Sequence, residues 1–559
     1  MIRNINIELS KIITSKKILK EAIVKKELEI CQERNLRLDL ELFNQNLLTE
    51  EQHAFILATY ANMKYVNIDL LGYQEKVVTL VTNSFILKHQ AIPILFKNNI
   101  YIVAISNPLD CETIQIIKAL FGLNANIIVT TSSKITKIQS IVFSKSEVTE
   151  AINQYENIDI SKKNIDENIE EADILNAPAV KLVESIFRGA IASDASDIHI
   201  EPYENIVRVR YRIDGILYEN TKFGINMFPS VSTRIKIMAG LNIAEKRIPQ
   251  DGRINQTYDG NDYDFRVSTL PTVYGEKIVI RILDTTAFNF TRDQLGFLPE
   301  ENKIIDELLK RPNGIILLTG PTGCGKSTTL YAFIKEINKG EVNIVTVEDP
   351  VEYTIEGVNQ VQINNKADLT FANALRSILR QDPNIVMIGE IRDEETAEIA
   401  IRMSITGHLV FSTLHTNDAP GAVTRLVDLG VEPFFVTDAL TGVIAQRLVR
   451  RLCPECKKAH LARKSECELL GLKKAQKIYE AVGCPACHNT GYKGRIGVHE
   501  ILVLNPELKE LVSKQVSTEE IRKLAIEKGM LTLKDTCIKY VLSGETTLNE
   551  LATIVYNDD

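Results

Sequence analysis

Hydrophobic positions along the chain follow two periods. Short apolar stretches bounded by Gly, Pro, Asn or Asp predict strands, whereas apolar residues spaced three and four apart predict helices. Beyond about residue 291 the two patterns alternate, and helical segments separate the apolar stretches GIILLTG, VNIVTVED, NIVMIGE and HLVFSTLH. Strands that alternate with helices predict a mainly parallel sheet covered by helices.

Other parts of the chain show different patterns. The segment 1–145 mixes strands such as AIPILF and IYIVAIS with helices, and it predicts a separate α/β domain for docking or regulation. An acidic linker is expected over 146–174. The strands in SDIHIEP, VRVRYRIDGIL and EKIVIRIL predict a compact α+β domain over 175–290. The α/β domain then covers 291–505, and a helical region follows over 506–559, where capping-box spacings occur.

Composition narrows the class of protein. A chain of 559 residues is too long for one core, and 45% hydrophobic with 25% charged residues predicts a folded protein. The net charge of −8 argues against a surface built to bind nucleic-acid phosphates. The start of the chain lacks the pattern of a signal peptide, and nine cysteines, an odd number, suit a reducing compartment. We therefore expect a cytosolic or peripheral membrane protein.

The stretch GPTGCGKST matches the phosphate-binding pattern G-x-x-x-x-G-K-[ST]. An apolar strand precedes it and a helical pattern follows, as such a loop requires, although a glycine-rich turn that binds nothing is the alternative. The backbone N–H groups would face the phosphates of ATP, Lys326 would reach the β- and γ-phosphates, and Ser327 would bind Mg²⁺. Helix-end potential tends to lower the thiol pKa of Cys324, but the interpretation that we favour is that Cys324 is simply a small residue that fits the cradle. The expected nucleotide contacts are Gly320, Pro321, Thr322, Gly323, Cys324, Gly325, Lys326, Ser327 and Thr328.

Two further strands end in acids. In IVMIGEIRD, Gly389 stands where such strands usually carry an aspartate, so Glu390 is the first carboxylate able to face the nucleotide. The strand VNIVTVED ends at Glu348 and Asp349, and parallel strand ends share one edge with the phosphate loop. We expect Glu390 to act on the Mg²⁺ side and Glu348 to orient or deprotonate the attacking water. The alternative is that Glu348 and Asp349 only begin a turn before proline.

The stretch HLVFSTLHTND places a histidine at each end of an apolar strand. A single histidine is more often a structural hydrogen-bonding residue than a catalytic one. His415 is followed by a polar strand end suited to sensing a γ-phosphate, so it is our candidate for that role. For His408 both interpretations remain open.

Four motifs in this order, the phosphate loop, VTVEDPVEY, IVMIGEIRD and GHLVFSTLHTNDAPGAVTRL, resemble the secretion ATPases that drive type II secretion and type IV pilus assembly. The resemblance covers residues 175–555, and glycine before the glutamate is a trait of that family. It implies a RecA-like P-loop ATPase domain preceded by a PAS-like domain, assembled as a homohexamer. It also implies a cytoplasmic protein, peripheral on the inner face of the cytoplasmic membrane, whose partner is an inner-membrane platform protein.

The resemblance gives the arginines of the α+β domain a function. A loose phosphoryl-transfer transition state needs positive charge, which a ring can supply from the neighbouring subunit. Arg208, Arg210 and Arg212 alternate along one predicted strand and therefore share a face. Arg210 and Arg212 are the candidates, and Arg266 is a further one.

Two C-x-x-C pairs contain Cys453, Cys456, Cys484 and Cys487. Two turns that each present two thiolates can form a tetrahedral Zn²⁺ site. The stretch CPACH also matches a haem-attachment motif, but haem attachment does not suit a reducing compartment. A redox-active pair is another alternative, but it would explain only one of the two C-x-x-C turns, which we call knuckles. In the family this insertion, here 450–495, is a zinc-binding subdomain. Cys467 lies between the knuckles and is not expected to be a ligand.

The stretch RLDLELFNQNLLTEEQ resembles a motif that binds cyclic di-GMP in some family members. Asp39 and Asn46 replace its two glycines, and Phe43 replaces an aliphatic residue. Loss of glycine where a backbone approaches a ligand argues against cyclic di-GMP binding. Docking to the membrane platform is the expected role of this domain.

These features predict an ATP-hydrolysing hexameric motor for type IV pilus assembly. A type II secretion ATPase is the alternative, since both branches share the motifs, and the chain ending KLAIEKGMLTLKDTCIKYVLSGETTLNEL favours the pilus branch. A nucleic-acid translocase is disfavoured by the acidic net charge, the absence of Trp and the lack of a basic tract. A nucleotide-gated scaffold with little turnover is disfavoured because both acids and the arginines are present.

Overall fold

The computed structural model describes residues 2–162, 171–258, 260–284, 290–487 and 489–555. Contacts within the chain separate two units, Met1–Leu283 and Asp284–Asp559, and each is described by itself. The finer division into five segments stays a prediction. Within the described residues, no helix combines the length and the apolar character needed to cross a membrane.

Helices packed around an apolar cluster open the first unit. They are α1 (Ile2–Ser15), α2 (Glu21–Arg34), α3 (Leu38–Asn44) and α4 (Glu50–Tyr60). The cluster contains Leu9 of α1 and Leu42 of α3, both fully buried. A capping box fixes the start of α4, because Thr49 and Gln52 each accept the other's backbone N–H.

A small three-stranded sheet follows these helices. Its elements are α5 (Ile68–Leu71), α6 (Glu75–Val78), α7 (Asn83–His89), β1 (Ala91–Lys97), β2 (Ile100–Ile105), α8 (Cys111–Phe121), β3 (Asn126–Val129) and α9 (Ser132–Lys162). Strand β2 lies in the middle, antiparallel to β1 and parallel to β3. The strands predicted from AIPILF and IYIVAIS are therefore confirmed.

The motif around Asp39 forms a buried polar contact. The Asp39 carboxylate is fully buried and accepts hydrogen bonds from Arg37 (Nη2, 2.7 Å) and His53 (Nε2, 3.0 Å). Burial favours a raised pKa for Asp39, but these bonds outweigh it and hold the pKa below its ordinary value. Asn46 has φ 56°, a left-handed conformation that asparagine tolerates. Asn46 therefore keeps the left-handed backbone conformation expected of glycine. At the other replaced position, the Asp39 side chain binds Arg37 of the same chain.

The segment predicted as an acidic linker differs from that prediction in its first part. Helix α9 continues to Lys162, and α10 (Glu171–Ala192) begins after a gap in the described residues. Val148 and Ala151 of α9 are buried in one cluster with Leu182 of α10. The first part of the segment is therefore helical, and its apolar residues Val148 and Ala151 are packed in the core of the domain. Of the remaining linker residues, 163–170 lie outside the described chain and 171–174 belong to α10.

A six-stranded sheet forms the rest of the first unit. Its elements are β4 (Asp197–Pro202), β5 (Ile206–Ile213), β6 (Ile216–Gly224), α11 (Phe228–Met238), β7 (Gln250–Tyr258), β8 (Asn261–Thr272) and β9 (Gly275–Asp284). The strand order is β6-β5-β4-β9-β8-β7. Val207 and Val209 of β5 are fully buried in a cluster shared with helices α10 and α11. The alternating arginines of β5 consequently lie on the opposite face.

The second unit contains a seven-stranded sheet in the order β12-β11-β13-β14-β10-β15-β18. Its elements up to the last parallel strand are α12 (Pro299–Leu309), β10 (Gly314–Thr319), α13 (Lys326–Ile337), β11 (Ile344–Glu348), β12 (Asn359–Gln362), α14 (Phe371–Ile378), β13 (Ile385–Ile388), α15 (Glu394–Ile405), β14 (Leu409–Leu414), α16 (Ala419–Asp428), α17 (Pro433–Ala439) and β15 (Leu440–Leu452). Strands β10, β11, β13 and β14 are parallel, as their buried apolar stretches predict.

An insertion and a helical region complete this unit. They comprise β16 (Lys458–Leu461), α18 (Lys464–Leu470), β17 (Lys477–Glu480), β18 (Tyr492–Val503), α19 (Pro506–Ser513), α20 (Thr518–Glu527), α21 (Leu533–Ser543) and α22 (Leu548–Val555). Strand β18 pairs antiparallel with β15, so the insertion is a long excursion between two sheet neighbours. Ser517 caps α20 by accepting the Glu520 N–H, as the sequence predicts.

Candidate functional site

The glycine-rich loop between β10 and α13 forms a cradle that only glycines permit. Gly320, Gly323 and Gly325 have φ values of 147°, 80° and 89°. A Cβ at Gly320 would lie 2.4 Å from the carbonyl oxygen of Gln446, and one at Gly325 would lie 3.0 Å from its Nε2. The loop is therefore both left-handed and tightly packed against β15.

The side chain of Gln446 on β15 hydrogen-bonds to the cradle and to helix α13. Its Nε2 donates to the Cys324 carbonyl (2.7 Å), and its Oε1 accepts from the Thr329 hydroxyl (2.8 Å). Gln446 is buried, so these bonds connect the cradle and the first turn of α13 without competition from water. Sequence reasoning missed this residue, and its only signal is a glutamine within the apolar stretch LTGVIAQRLV.

Lys326 is the first residue of α13, and its side chain hydrogen-bonds to the backbone of the cradle. Its Nζ donates to the carbonyl oxygens of Gly320 (2.8 Å) and Pro321 (3.2 Å). Burial lowers the pKa of Lys326, and the negative charge of Glu390 partly offsets this effect. Residues expected to contact nucleotide are exposed on the open side of the cradle, namely Pro321, Thr322, Gly323 and Ser327, with Thr328 half-buried.

Cys324 is a small buried residue of the cradle, as the favoured interpretation of the sequence predicts. Its side chain is buried at 4% exposure, and burial raises the pKa of its thiol even though Lys326 and Arg447 carry positive charge nearby. The tendency of the helix end to lower the thiol pKa is therefore overridden, because desolvation outweighs the helix-end potential. Cys324 acts as a small packing residue whose carbonyl accepts the Gln446 bond.

Gly389, which stands where an aspartate is usual, lies close to the backbone of β11. Its N–H donates to the Val347 carbonyl (2.8 Å), and a Cβ there would lie only 3.3 Å from the Glu348 Cα. A side chain at this position would therefore be tightly packed against the end of β11, and the neighbouring backbone would have to shift by a few tenths of an ångström. Glu390 follows directly and contacts Arg392 and the Nε2 of His415 (3.6 Å).

Glu348 ends β11 and is buried at 4% exposure. Its Oε1 accepts from the Thr346 hydroxyl (2.6 Å) and from Gln360 Nε2 (3.2 Å), and its Oε2 accepts from the Tyr331 hydroxyl. Burial raises the pKa of Glu348, and these donors oppose the rise. The two glutamates at this edge are therefore unlike: Glu390 is paired with a cation, whereas Glu348 is desolvated.

The two predicted histidines lie at opposite ends of β14. Because Thr319 pairs with Leu414 in parallel register, His415 lies at the cradle end and His408 at the other. The Nδ1 of His408 is 2.9 Å from the Met403 carbonyl oxygen, which is a structural contact. The loop after His415 is held to the cradle strand, since the Thr416 N–H donates to the Thr319 hydroxyl (2.8 Å).

Arg447 is a second residue that sequence reasoning missed. It is buried at 8% exposure, and its Nη2 donates to the Asn417 carbonyl oxygen (2.8 Å) in the loop after His415. Its Nη1 lies 3.2 Å from the position that a Cβ at Gly320 would occupy. Arg447 thus connects the cradle to the loop expected to sense the γ-phosphate.

The arginines of β5 pair with acids of β4 in the first unit. Arg210 binds Glu201 through two hydrogen bonds of 2.8 Å, and Arg208 contacts the Tyr203 hydroxyl. The Nε of Arg212 lies 3.5 Å from an oxygen of Asp197. These side chains share a face, as predicted, but they are partly neutralised by that face's own carboxylates.

A cleft of about 400 Å³ opens on the same unit. Arg266, a predicted residue, lines it together with Arg253, Arg281, Asp197 and Asp251. Sequence reasoning missed Arg253 and Arg281, although their strands β7 and β9 alternate in the same way as β5. The cleft concentrates guanidinium groups around Arg266.

The four knuckle cysteines converge on one point. Their Sγ atoms all lie within 4.8 Å of one another, with Cys453–Cys484 and Cys456–Cys487 each 3.8 Å apart. Tetrahedral zinc bound at about 2.3 Å requires thiolate sulfurs about 3.8 Å apart, so the set fits that ion. His488 of the haem-like stretch CPACH lies outside the described residues.

The thiols of this cluster differ in acidity. Burial raises the pKa of Cys456 to about 12. Burial acts in the same direction on Cys487, but N–H groups of Cys484 and Gly491 outweigh it and lower its pKa to about 7. A metal ion would bind these groups as thiolates and release their protons.

Family models match most of the chain. The model for "Type II/IV secretion system protein" matches residues 172–553, and that for the "MshEN domain" matches residues 61–149. The first match includes the cradle, both glutamates, the arginine-bearing strand and the cysteine cluster.

Individual relatives agree with these models. The chain is 39% identical to the type IV pilus assembly ATPase PilB of Myxococcus xanthus over 97% of this chain and 98% of that one. It is 48% identical to the type II secretion system protein E of Pseudomonas aeruginosa over 68% of this chain and 76% of that one. In fold it is similar to the Legionella pneumophila ATPase DotB, with a TM-score of 0.51 and 22% identity over 67% of this chain and 95% of that one. The chain is thus a multidomain α/β protein that belongs to the type II/IV secretion system family, and it is an ATPase of that family.

Proposed function

We propose that this chain is the ATP-hydrolysing motor of type IV pilus assembly. The observation that carries the proposal is the meeting of a phosphate cradle and two glutamates at one edge of a parallel sheet. The choice of pilus assembly is supported by the relationship to PilB, which extends over 97% of this chain, whereas the secretion relative matches 68%. Type II secretion is the second candidate, favoured by the higher identity of 48% in the shared part.

In this proposal ATP binds at Gly320–Thr328, and its phosphates replace the two carbonyl partners of Lys326. The Ser327 hydroxyl and the Glu390 carboxylate are oxygen ligands of the kind that Mg²⁺ prefers. That ion, when bound, neutralises charge on the phosphates. Ser327 is exposed and Glu390 is half-buried beside the cradle, so both can reach the open side.

Glu348 is assigned to the attacking water. A general base works best when its pKa lies near the working pH, and burial raises the pKa of Glu348 in that direction. Glu390 is paired with Arg392 and is better suited to the metal side. His415, 3.6 Å from Glu390, is assigned to sensing the γ-phosphate through this carboxylate.

The positive charge that the transition state needs is assigned to arginines of the neighbouring subunit in a homohexamer. Arg210 and Arg212 are the primary donors, and Arg266 with its cleft extends the same positive surface. Their acidic partners would be left with other cations, since Glu201 also pairs with Lys277 (3.0 Å) and Asp197 with Arg281 (3.1 Å). Arg210 or Arg212 can therefore turn toward the neighbouring nucleotide without leaving its carboxylate partner unpaired.

The cysteine cluster is assigned to structural Zn²⁺. The Cys453/Cys456 pair adjoins the C-terminal helical region, because the Leu452 N–H donates to the Glu545 carbonyl (2.7 Å) and Lys457 Nζ donates to the Gly544 carbonyl (2.7 Å). Binding of zinc would fix both knuckles against the end of α21. Its role is therefore to anchor the helices that follow β18.

The N-terminal domain is assigned to docking on an inner-membrane platform protein, which places the motor at the cytoplasmic face of the membrane. The match to the MshEN domain, residues 61–149, overlaps this part of the chain. Cyclic di-GMP is not expected to bind at the motif, because Arg37 is already held by the buried Asp39.

A cell lacking the gene tests the function. Reintroducing the chain should restore surface fibres, whereas Lys326→Ala should not, because the phosphates lose their cation. Fibres are counted by electron microscopy, secreted enzymes are assayed in the medium, and the chain is located by fractionation. Loss of secreted enzymes with intact fibres would favour type II secretion instead, and a chain absent from the membrane fraction would contradict docking.

Mixing two inactive variants tests the hexamer and its shared site. Lys326→Ala and the double variant Arg210→Ala/Arg212→Ala should each lose ATPase activity, the latter by at least about 10³-fold. In mixed rings about one junction in four joins an intact lysine to an intact neighbouring arginine pair, so activity should partly return. Arg208→Ala, from the same face, is the matched control and should stay active. Absence of recovery in rings proven to be mixed would contradict the shared site.

Zinc content tests the cysteine site. Protein purified without chelator should contain about one zinc per chain, and Cys456→Ser or Cys487→Ser should lose it because a tetrahedral site needs four ligands. Cys467→Ser removes a cysteine of the same insertion and should keep the metal. Metal analysis by mass spectrometry measures both. Clearly less than one zinc in the parental chain, or equal loss in the Cys467 variant, would overturn the assignment.

A further inference from the structure

Glu348 lies in a buried polar cluster whose members come from three elements. Thr346 belongs to the same strand, β11, Gln360 belongs to β12, and Tyr331 belongs to α13. Thr346 and Gln360 both donate to Oε1, so Oε2 depends on the Tyr331 hydroxyl. Tyr331 is thus the donor that fixes the second oxygen of this carboxylate.

The direction of the Tyr331 hydroxyl is set by its own environment. The oxygen accepts the Glu352 N–H at 3.3 Å, which leaves its single proton for Glu348. The side chain is fully buried, and its ring packs edge-on against Tyr353 with centroids 4.5 Å apart. Tyr331 can therefore neither turn to solvent nor exchange its partner without disturbing the packing around it.

Tyr331 also connects this cluster to the phosphate cradle. It lies four residues after Ser327 on α13, so both side chains lie on the same face of that helix. The helix begins at Lys326. One rigid element consequently carries the lysine expected to hold the phosphates and the hydroxyl that orients the glutamate.

We propose that Tyr331 is a positioning residue for ATP hydrolysis, which holds the Glu348 carboxylate at a fixed place relative to the cradle. The inference rests on the proposed role of Glu348 as the base. It adds that the base is oriented by the same helix that binds the nucleotide, so a shift of that helix moves both together.

The ionisation of Glu348 provides a specific signature. Burial raises the pKa of this carboxylate, hydrogen bonds from Thr346, Tyr331 and Gln360 lower it, and the charge of Glu352 raises it. The phenol of Tyr353 also interacts electrostatically with Glu348. Removing the Tyr331 hydroxyl removes one of the hydrogen bonds that lower the pKa of Glu348, so this pKa rises further. The acidic limb of the activity profile, where the base becomes protonated, should then move to higher pH.

The experiment compares Tyr331→Phe with the parental full chain. We expect kcat to fall about tenfold with an unchanged KM for ATP, because a bond to a charged group is lost while the cradle stays intact. The acidic limb should move upward in pH. Tyr540→Phe is the matched control, since it removes another buried tyrosine hydroxyl, which donates to the Gly296 carbonyl in the same unit. It should leave kcat and the pH profile unchanged.

Two further variants separate the possible failures. Thr346→Val removes a donor from the other oxygen without changing the side-chain shape, so it should move the acidic limb in the same direction even if Tyr331→Phe folds poorly. Glu348→Gln should abolish hydrolysis; parental activity there would refute the role of the base itself. A different result would overturn only the inference about Tyr331. In that case Glu348→Gln is inactive, whereas Tyr331→Phe keeps the parental kcat and the parental position of the acidic limb.

Discussion

The close approach of two strand ends is the constraint on which the candidate site depends. At the end of β13 the Gly389 N–H donates to the Val347 carbonyl of β11, and a Cβ at Gly389 would lie only 3.3 Å from the Glu348 Cα. Glu348 ends one of these strands and Glu390 follows the other. Because β10 is parallel to both and ends in the cradle, two carboxylates and a phosphate-binding loop share one sheet edge.

Buried polar side chains keep this edge rigid. Gln446 joins the cradle to α13, Thr319 joins β10 to the loop after β14, and Arg447 joins that loop to the cradle region. The two bonds of Gln446 are buried and those of Thr416 and Arg447 are partly buried, so water competes for them less than for exposed bonds. An arrangement held in this way can respond to nucleotide as a unit, which suits a motor better than a loose binding site.

The sequence predicts the parts of this site that are encoded locally. The cradle glycines, the parallel strands and the two terminal glutamates follow from short patterns, and the structure has them at those positions. Gln446 and Tyr331 were missed because their partners are distant in the chain. Burial overrides the tendency of the helix end to lower the thiol pKa of Cys324, and the helical structure of 146–162 was not predicted. Both depend on neighbours that no local pattern reveals.

The most direct test of the account is the Mg²⁺ dependence of ATP hydrolysis in Glu390→Gln and Glu348→Gln. The divided roles predict that Glu390→Gln needs at least about tenfold more Mg²⁺ for half-maximal rate and recovers activity as Mg²⁺ rises. Glu348→Gln should stay inactive at every Mg²⁺ concentration. A parental Mg²⁺ dependence in Glu390→Gln, or the same behaviour in both variants, would contradict the division of labour at this edge.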